Sequence, residues 1–153
     1  YFDVPATAVD ASHLLADPLP DLSSPVFLAP DAGAIDLATR VRDAYGRGET
    51  DHFTKTRHSG TEVDIEPSEQ AVADRDVVLV DDIVATGSTM SESIAVLHER
   101  GVNRVYVACV HPVLARDARL KLHRAGVAGV YGTDTIERPV SRVSVAPAIA
   151  AAL

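Results

Sequence analysis

The chain has 153 residues, 46% hydrophobic and 24% charged, with a formal net charge of −8, enough for one domain with a real core. That acidic balance excludes nonspecific nucleic-acid binding, which needs clustered Lys and Arg, and no apolar run approaches the length of a membrane span. Basic residues are lopsided: only Lys55 and Lys121 are lysines, and the other twelve are arginine. An acidic, lysine-poor composition suits a salt-loving host, where self-repulsion is screened; GC-rich codon bias, which also favours Arg and Ala, would give the same balance.

Residues 1–25 carry Pro5, Pro18, Pro20 and Pro25 and read as an irregular lead-in that wraps the domain or arrives from elsewhere, with a short helix near His13. No basic, apolar signal segment opens them. Because residue 1 is Tyr rather than Met, a processed chain or a fragment is expected. Val-Phe-Leu-Ala at 26–29 is a short apolar strand. A turn, Pro30-Asp31-Ala32-Gly33-Ala34, leads into a helix whose apolar positions are Ile35, Leu37, Ala38, Val41 and Tyr45. Asp31 suits either a helix cap or a metal ligand. Gly46-Arg47-Gly48 stops the helix.

Residues 51–56 read as a strand, and residues 62–65 as a second arm after the break at His58-Ser59-Gly60-Thr61. A polar, glycine-containing excursion between two arms is a candidate flap. Lys55 and Arg57 alternate along it and share a face, whether for chemistry or as a solvated edge. A loop at 67–75 precedes the central stretch. After that stretch, Gly101-Val102-Asn103 is a stop and 104–110 another buried strand. Cys109 lies within this strand and is expected to be a buried thiol, with a reducing cytoplasmic setting as the default. His111-Pro112 falls at the strand's carboxyl end, a helix is expected over 116–124, strands over 127–131 and 143–145, and an apolar helix over 147–153. Strands alternating with helices predict one α/β domain over 1–153, a central, mostly parallel sheet flanked by helices.

The chain is organised around Val77-Val78-Leu79-Val80-Asp81-Asp82-Ile83-Val84-Ala85-Thr86-Gly87-Ser88-Thr89-Met90. Four apolar residues suit a buried parallel strand. The two aspartates then stand at its carboxyl end, where open α/β sheets bind ligands. Residues 85–89 form the turn into a helix expected over 91–100. Its free N–H groups and dipole favour an anion. Thr86, Ser88 and Thr89 add hydroxyls, and Gly87 lets the backbone come close. The carboxylates suit a vicinal diol. Together these groups describe a sugar phosphate.

Paired Asp followed by Thr-Gly-Ser-Thr at this spacing resembles the ribose-phosphate signature of type I phosphoribosyltransferases and of the related ribose-phosphate pyrophosphokinases. Across its length the chain is similar to the C-terminal half of the archaeal type of the latter. Tyr1-Phe2-Asp3-Val4-Pro5 resembles the opening of that half. Pro30-Asp31-Ala32-Gly33 resembles the pyrophosphate loop, with Ala34 where a second glycine is usual, and Lys55-Thr56-Arg57 resembles the catalytic flexible loop. His111-Pro112 and Thr133-Asp134-Thr135-Ile136 fall at later strand-end motifs.

The resemblance implies a type I phosphoribosyltransferase fold. The implied reaction converts ATP and ribose 5-phosphate to AMP and phosphoribosyl pyrophosphate. In it, Ala85, Thr86, Gly87, Ser88 and Thr89 bind the 5-phosphate, and Asp81 and Asp82 the ribose hydroxyls. Lys55 and Arg57 are catalytic, Asp31, Ala32 and Gly33 face pyrophosphate and metal, and Mg²⁺ is the cofactor. It also implies a homo-oligomer and an ATP-binding N-terminal half outside this chain. A stand-alone phosphoribosyltransferase acting on a nucleobase, or a non-catalytic regulatory homologue, would share most of these residues.

Overall fold

The structure is a computed structural model that describes residues 6–59, 62–67 and 71–153, with only the backbone at 55–59 and 62–67. Seven strands form one sheet in the order β3-β2-β1-β4-β5-β6-β7. They are β1 Val26–Ala29, β2 Glu49–Ser59, β3 Glu62–Pro67, β4 Asp76–Ile83, β5 Arg104–His111, β6 Gly129–Thr133 and β7 Ser141–Val143. Helices α1 Ile35–Tyr45, α2 Ser88–Glu99, α3 Ala118–Arg124 and α4 Ala146–Ala151 connect or follow them. Every neighbouring pair is parallel except β2 with β3, so the expected mostly parallel sheet is present.

Strand alternation sorts the core into two layers. Val26, Leu28, Val77, Leu79, Val105, Val107 and Cys109 face α2 and α3, meeting Met90, Ile94, Leu97, Ala118 and Leu122. Phe27, Ala29, Val78, Val80, Tyr106, Ala108 and Val110 face the other way, onto Ala38 and Val41 of α1. That second layer is completed by the lead-in. A 3-10 turn, Ser12–Ala16, seats Leu15 and Ala16; Ala11 just before it and Leu19 and Leu22 after it also enter the core. The segment therefore wraps. Full burial of a side chain such as Leu15 contributes about 1.5–3 kcal/mol. The Tyr1-Phe2-Asp3-Val4-Pro5 motif lies outside the described residues.

The lead-in is fastened at the amino edge of the sheet by Asp76, which is fully buried. Its carboxylate accepts from Ser23 N at 2.7 Å, Asn103 Nδ2 at 2.8 Å, and Arg104 Nε and Nη2 at 3.0 and 2.6 Å. Burial opposes ionisation here, but Arg104, Ser23 and Asn103 together hold the group below its ordinary value.

Several boundaries differ from the sequence expectation for local reasons. α2 starts at Ser88 rather than 91, because Gly87 caps it at φ 71°. Arg116 takes φ 54°, which delays α3 to Ala118. Val127 N turns back to Leu122 O at 3.2 Å, so β6 begins at Gly129. Val145 N is taken by Asp134 Oδ1 at 2.8 Å, so β7 ends at Val143 and the next residues open α4. α4 is apolar as expected, yet it buries none of its residues.

β1 ends at Ala29, opposite His52, whereas β2 runs on to Ser59 and pairs there with β3. Seven residues at about 3.3 Å each carry this arm roughly 20 Å past the end of β1, at the carboxyl edge of the sheet. The two expected arms thus form one antiparallel ribbon, longer than residues 51–56 and 62–65 suggested.

Candidate functional site

The strand order reverses between β1 and β4, and the turns that follow these two strands open side by side at the carboxyl edge. After β4, a concavity of about 150 Å³ is lined by Asp81, Ile83, Val84, Ala85, Thr86, Gly87, Ser88, Thr89 and Met90. After β1, a second of about 380 Å³ is lined by Asp31, Gly33, Ala34, Asp36, Leu37, Arg40, Asp81 and Asp82. Asp81 is in the wall of both.

The first concavity has features that suit an anion. The opening turn of α2 leaves N–H groups without intrahelical partners, and no acidic residue sits in that turn. Thr86 Oγ1 and Ser88 Oγ lie 3.4 Å apart at its rim. Buried Val84 and Met90 anchor the loop at both ends. Leu114 N donates to Val84 O and Ala115 N to Ala85 O, both at 2.9 Å, so the stretch after β5 pins the loop from behind. Gly87 is required twice over: its φ is positive, and an added Cβ would stand 3.2 Å from Ala118 O.

The second concavity is acidic. Asp31 caps the 3-10 turn Ala32–Ala34 by accepting from Gly33 N at 2.8 Å, so the capping role exists, and its other oxygen is left for a ligand. Ala32 is exposed and is not part of the lining. Strand alternation sends Asp81 to the α2 side with Leu79, and Asp82 to the α1 side with Val80. Asp82 N donates to Asp81 Oδ1 at 2.9 Å. Burial first, then the neighbouring Asp82 and Asp31 charges, push Asp81 up to about 7.

This shift has a signed consequence. The folded value lies above the unfolded one of about 3.9. Between about pH 4 and pH 7 the folded chain keeps a proton that the unfolded chain releases. Stability contributed by Asp81 therefore falls as pH rises through that window. In urea titrations of metal-free protein, the wild type is expected to lose stability relative to Asp81→Asn across this range. Parallel pH curves would refute the raised value.

The backbone of Lys55 and Arg57 runs in the β2 arm beyond the end of β1; their side chains, and Gly60-Thr61, lie outside the described residues. His111 is joined to the turn after β6. Thr133 Oγ1 and Thr135 Oγ1 both donate to Val110 O, at 2.7 and 2.8 Å. His111 Nδ1 lies 2.9 Å from Thr135 Oγ1, so the imidazole is tied by a hydrogen bond to the same hydroxyl that reaches Val110 O. Cys109 is buried, as expected. Burial and then the Asp81 charge push its thiol up to about 12, so it is no nucleophile. Arg40 escaped the sequence reading. Its signal was the spacing from Asp36, one helical turn earlier on the same face of α1.

A family model described as a phosphoribosyl transferase domain matches residues 1–145. The chain belongs to that family. The ribose-phosphate pyrophosphokinase of Halobacterium salinarum is 67% identical over 153 residues, covering 99% of this chain and 54% of the relative. That of Methanosarcina mazei is 46% identical over 155 residues, covering 100% and 52%. This phosphoribosyl transferase domain thus spans about half the length of the curated relatives it matches. A solved phosphoribosylpyrophosphate synthetase from Mycobacterium smegmatis superimposes with a TM-score of 0.69 at 25% identity, over 93% of this chain and 49% of that one. A glutamine phosphoribosylpyrophosphate amidotransferase from B. subtilis gives 0.62 at 18% identity, over 79% and 34%, and shares the fold. Among the described residues of this phosphoribosyl transferase domain, no helix is long and apolar enough to cross a membrane.

Proposed function

We propose that this domain binds ribose 5-phosphate and works within a ribose-phosphate diphosphokinase, which moves the β,γ-diphosphoryl group of ATP to the sugar 1-hydroxyl to give phosphoribosyl pyrophosphate and AMP. The observation that carries this is the single carboxylate, Asp81, shared by an anion-binding loop and an acidic concavity. A sugar phosphate spans such a pair, with its 5-phosphate at residues 85–89 and its diol at Asp81 and Asp82. The relatives named above support the same reaction.

The chain's own groups do the positioning. The amides of the α2 turn, with Thr86, Ser88 and Thr89, hold the phosphate, and Asp81 and Asp82 accept from the 2- and 3-hydroxyls. The 1-hydroxyl oxygen is then set to bond to the β-phosphorus as the bond to the AMP oxygen breaks. Such positioning is worth up to roughly 7–11 kcal/mol in ideal cases. Lys55 and Arg57, carried on the ribbon, neutralise charge on the transferring group. Asp31, Asp81 and Asp82 supply only oxygen donors. Among the described residues no three acidic or His/Cys side chains gather closely enough to hold a metal by themselves. An all-oxygen donor set fits Mg²⁺, which uses one or two carboxylates plus substrate phosphates; when bound it would offset phosphate charge. Much of the ATP surface belongs to a preceding half, in a homo-oligomer. The cytoplasm of a salt-loving cell is the proposed setting.

The loop assignment has its own test. Gly87→Ala is expected to cost about 1–2 kcal/mol of stability and to weaken ribose 5-phosphate binding in calorimetric titration. Unaltered affinity would take the loop out of the site.

Phosphorus NMR with Mg²⁺, ATP and ribose 5-phosphate at high salt tests the whole proposal. Appearance of AMP with a new sugar-linked diphosphate resonance would mean a complete active site in this chain. No reaction, with the ribose 5-phosphate signal broadened or shifted, would mean a half-site. Turnover with a nucleobase instead would identify a stand-alone phosphoribosyltransferase. No perturbation of any phosphate signal would sink the sugar-phosphate assignment.

A further inference from the structure

Among the described residues, Arg40 is the one cationic side chain in the lining of the second concavity, beside Asp31, Asp36, Asp81 and Asp82. Asp31, Asp36 and Asp82, joined by Asp81 where it is ionised, repel a bare anion, so what enters there is a cation, or an anion carrying one. An anion so chelated still has oxygens turned away from its metal, and these need a donor. Arg40 is held where it can serve. Its Nε donates to Asp10 Oδ2 at 2.7 Å. That edge-on contact leaves both terminal nitrogens uncommitted among the described residues. Asp10 is itself fixed, because its other oxygen accepts from Ser12 N at 2.8 Å and Ser12 Oγ at 2.6 Å. Both partners of the ion pair are half-exposed, with side-chain exposures of 51% and 49%. Such pairs add little to stability, so the consequence of this one is orientation.

We propose that Arg40 is a diphosphate-binding residue of this concavity, donating its terminal nitrogens to the non-bridging oxygens of a metal-chelated diphosphate, and that Asp10 is its positioning residue. This rests on the function proposed above and extends it to a residue on α1 and another on the lead-in.

The test is calorimetric titration of the chain with inorganic pyrophosphate in excess Mg²⁺, and separately with ribose 5-phosphate, for wild type, Arg40→Ala, Arg40→Lys and Asp10→Asn. Loss of a charge-assisted contact predicts at least a tenfold rise in the pyrophosphate Kd for Arg40→Ala, with ribose 5-phosphate affinity unchanged. Arg40→Lys is expected to recover only part of it, since a point charge lacks the guanidinium fork. Asp10→Asn keeps the acceptor for Ser12 but not the charge, and is expected to weaken pyrophosphate binding less than Arg40→Ala does. Equal pyrophosphate affinity in wild type and Arg40→Ala would overturn the assignment while leaving the sugar-phosphate site standing. Wild type that binds ribose 5-phosphate but not pyrophosphate would overturn it too. Wild type that binds neither would remove the proposed function together with it.

Discussion

Asp76→Ala is expected to lower the free energy of unfolding by about 3–5 kcal/mol, because it strips a buried charge from its partners rather than removing a pair. Ser23 N, Asn103 Nδ2 and two nitrogens of Arg104 would lose their acceptor together. In a domain of this size such a loss lowers Tm by roughly 10 °C. The group is held below its ordinary value against the effect of burial, so its contribution is complete above the usual carboxylate range and is lost as pH falls through the lowered value. Wild type and variant should therefore converge in strong acid. Urea denaturation at neutral pH is the direct measurement, and a loss under about 1 kcal/mol would mean that the donors find other partners. Asp76→Asn, which keeps an acceptor, should fall between the two.

Lys55→Ala is expected to reduce turnover of ATP and ribose 5-phosphate by at least about a hundredfold in the assembled enzyme, the usual cost of one transition-state donor. Ribose 5-phosphate affinity should survive, since the loop after β4 and the β2 ribbon are separate elements. Single-turnover kinetics alongside equilibrium binding separates the two quantities. Unchanged turnover would remove Lys55 from the proposed chemistry. Equal losses in binding and rate would recast the ribbon as a lid that holds substrate rather than one that acts on the transferring group.

The central strand and its loop were legible because two local signals agree there. An apolar run is followed at once by carboxylates, hydroxyls and Gly87, so burial, chain direction and chemistry point the same way. The turn after β1 was legible in outline, and Asp31 does cap it. Its chemistry was suggested by the family resemblance alone, because the concavity needs Asp81 and Asp82 from a strand far along the chain. The lead-in was the hardest. Its prolines hide any period, and only packing reveals that Leu15, Leu19 and Leu22 close one face of the sheet. Arg40 and Asp10 likewise meet across a distance in sequence that no pattern of spacing reports. The later strands slipped by about two residues, because side-chain caps such as Asp134 decide where pairing stops.

The pairing of β1 with β4 brings Val26 beside Val77, across α1 and the whole β2–β3 ribbon. Every other strand pair in the sheet closes a shorter loop. The seam is therefore the costliest contact to close in chain entropy and the natural last step of folding, joining a β1–α1–β2 unit to a β4–α2–β5–α3–β6 unit. The two turns that make the site flank this seam. A ligand touching both Asp31 and Asp81 would be a clasp across it, adding binding energy to the union of two units whose own connection is long. Amide exchange along β1 and β4 would then slow with ligand more than exchange within either unit. Substrate would complete the assembly of the domain as well as occupy it.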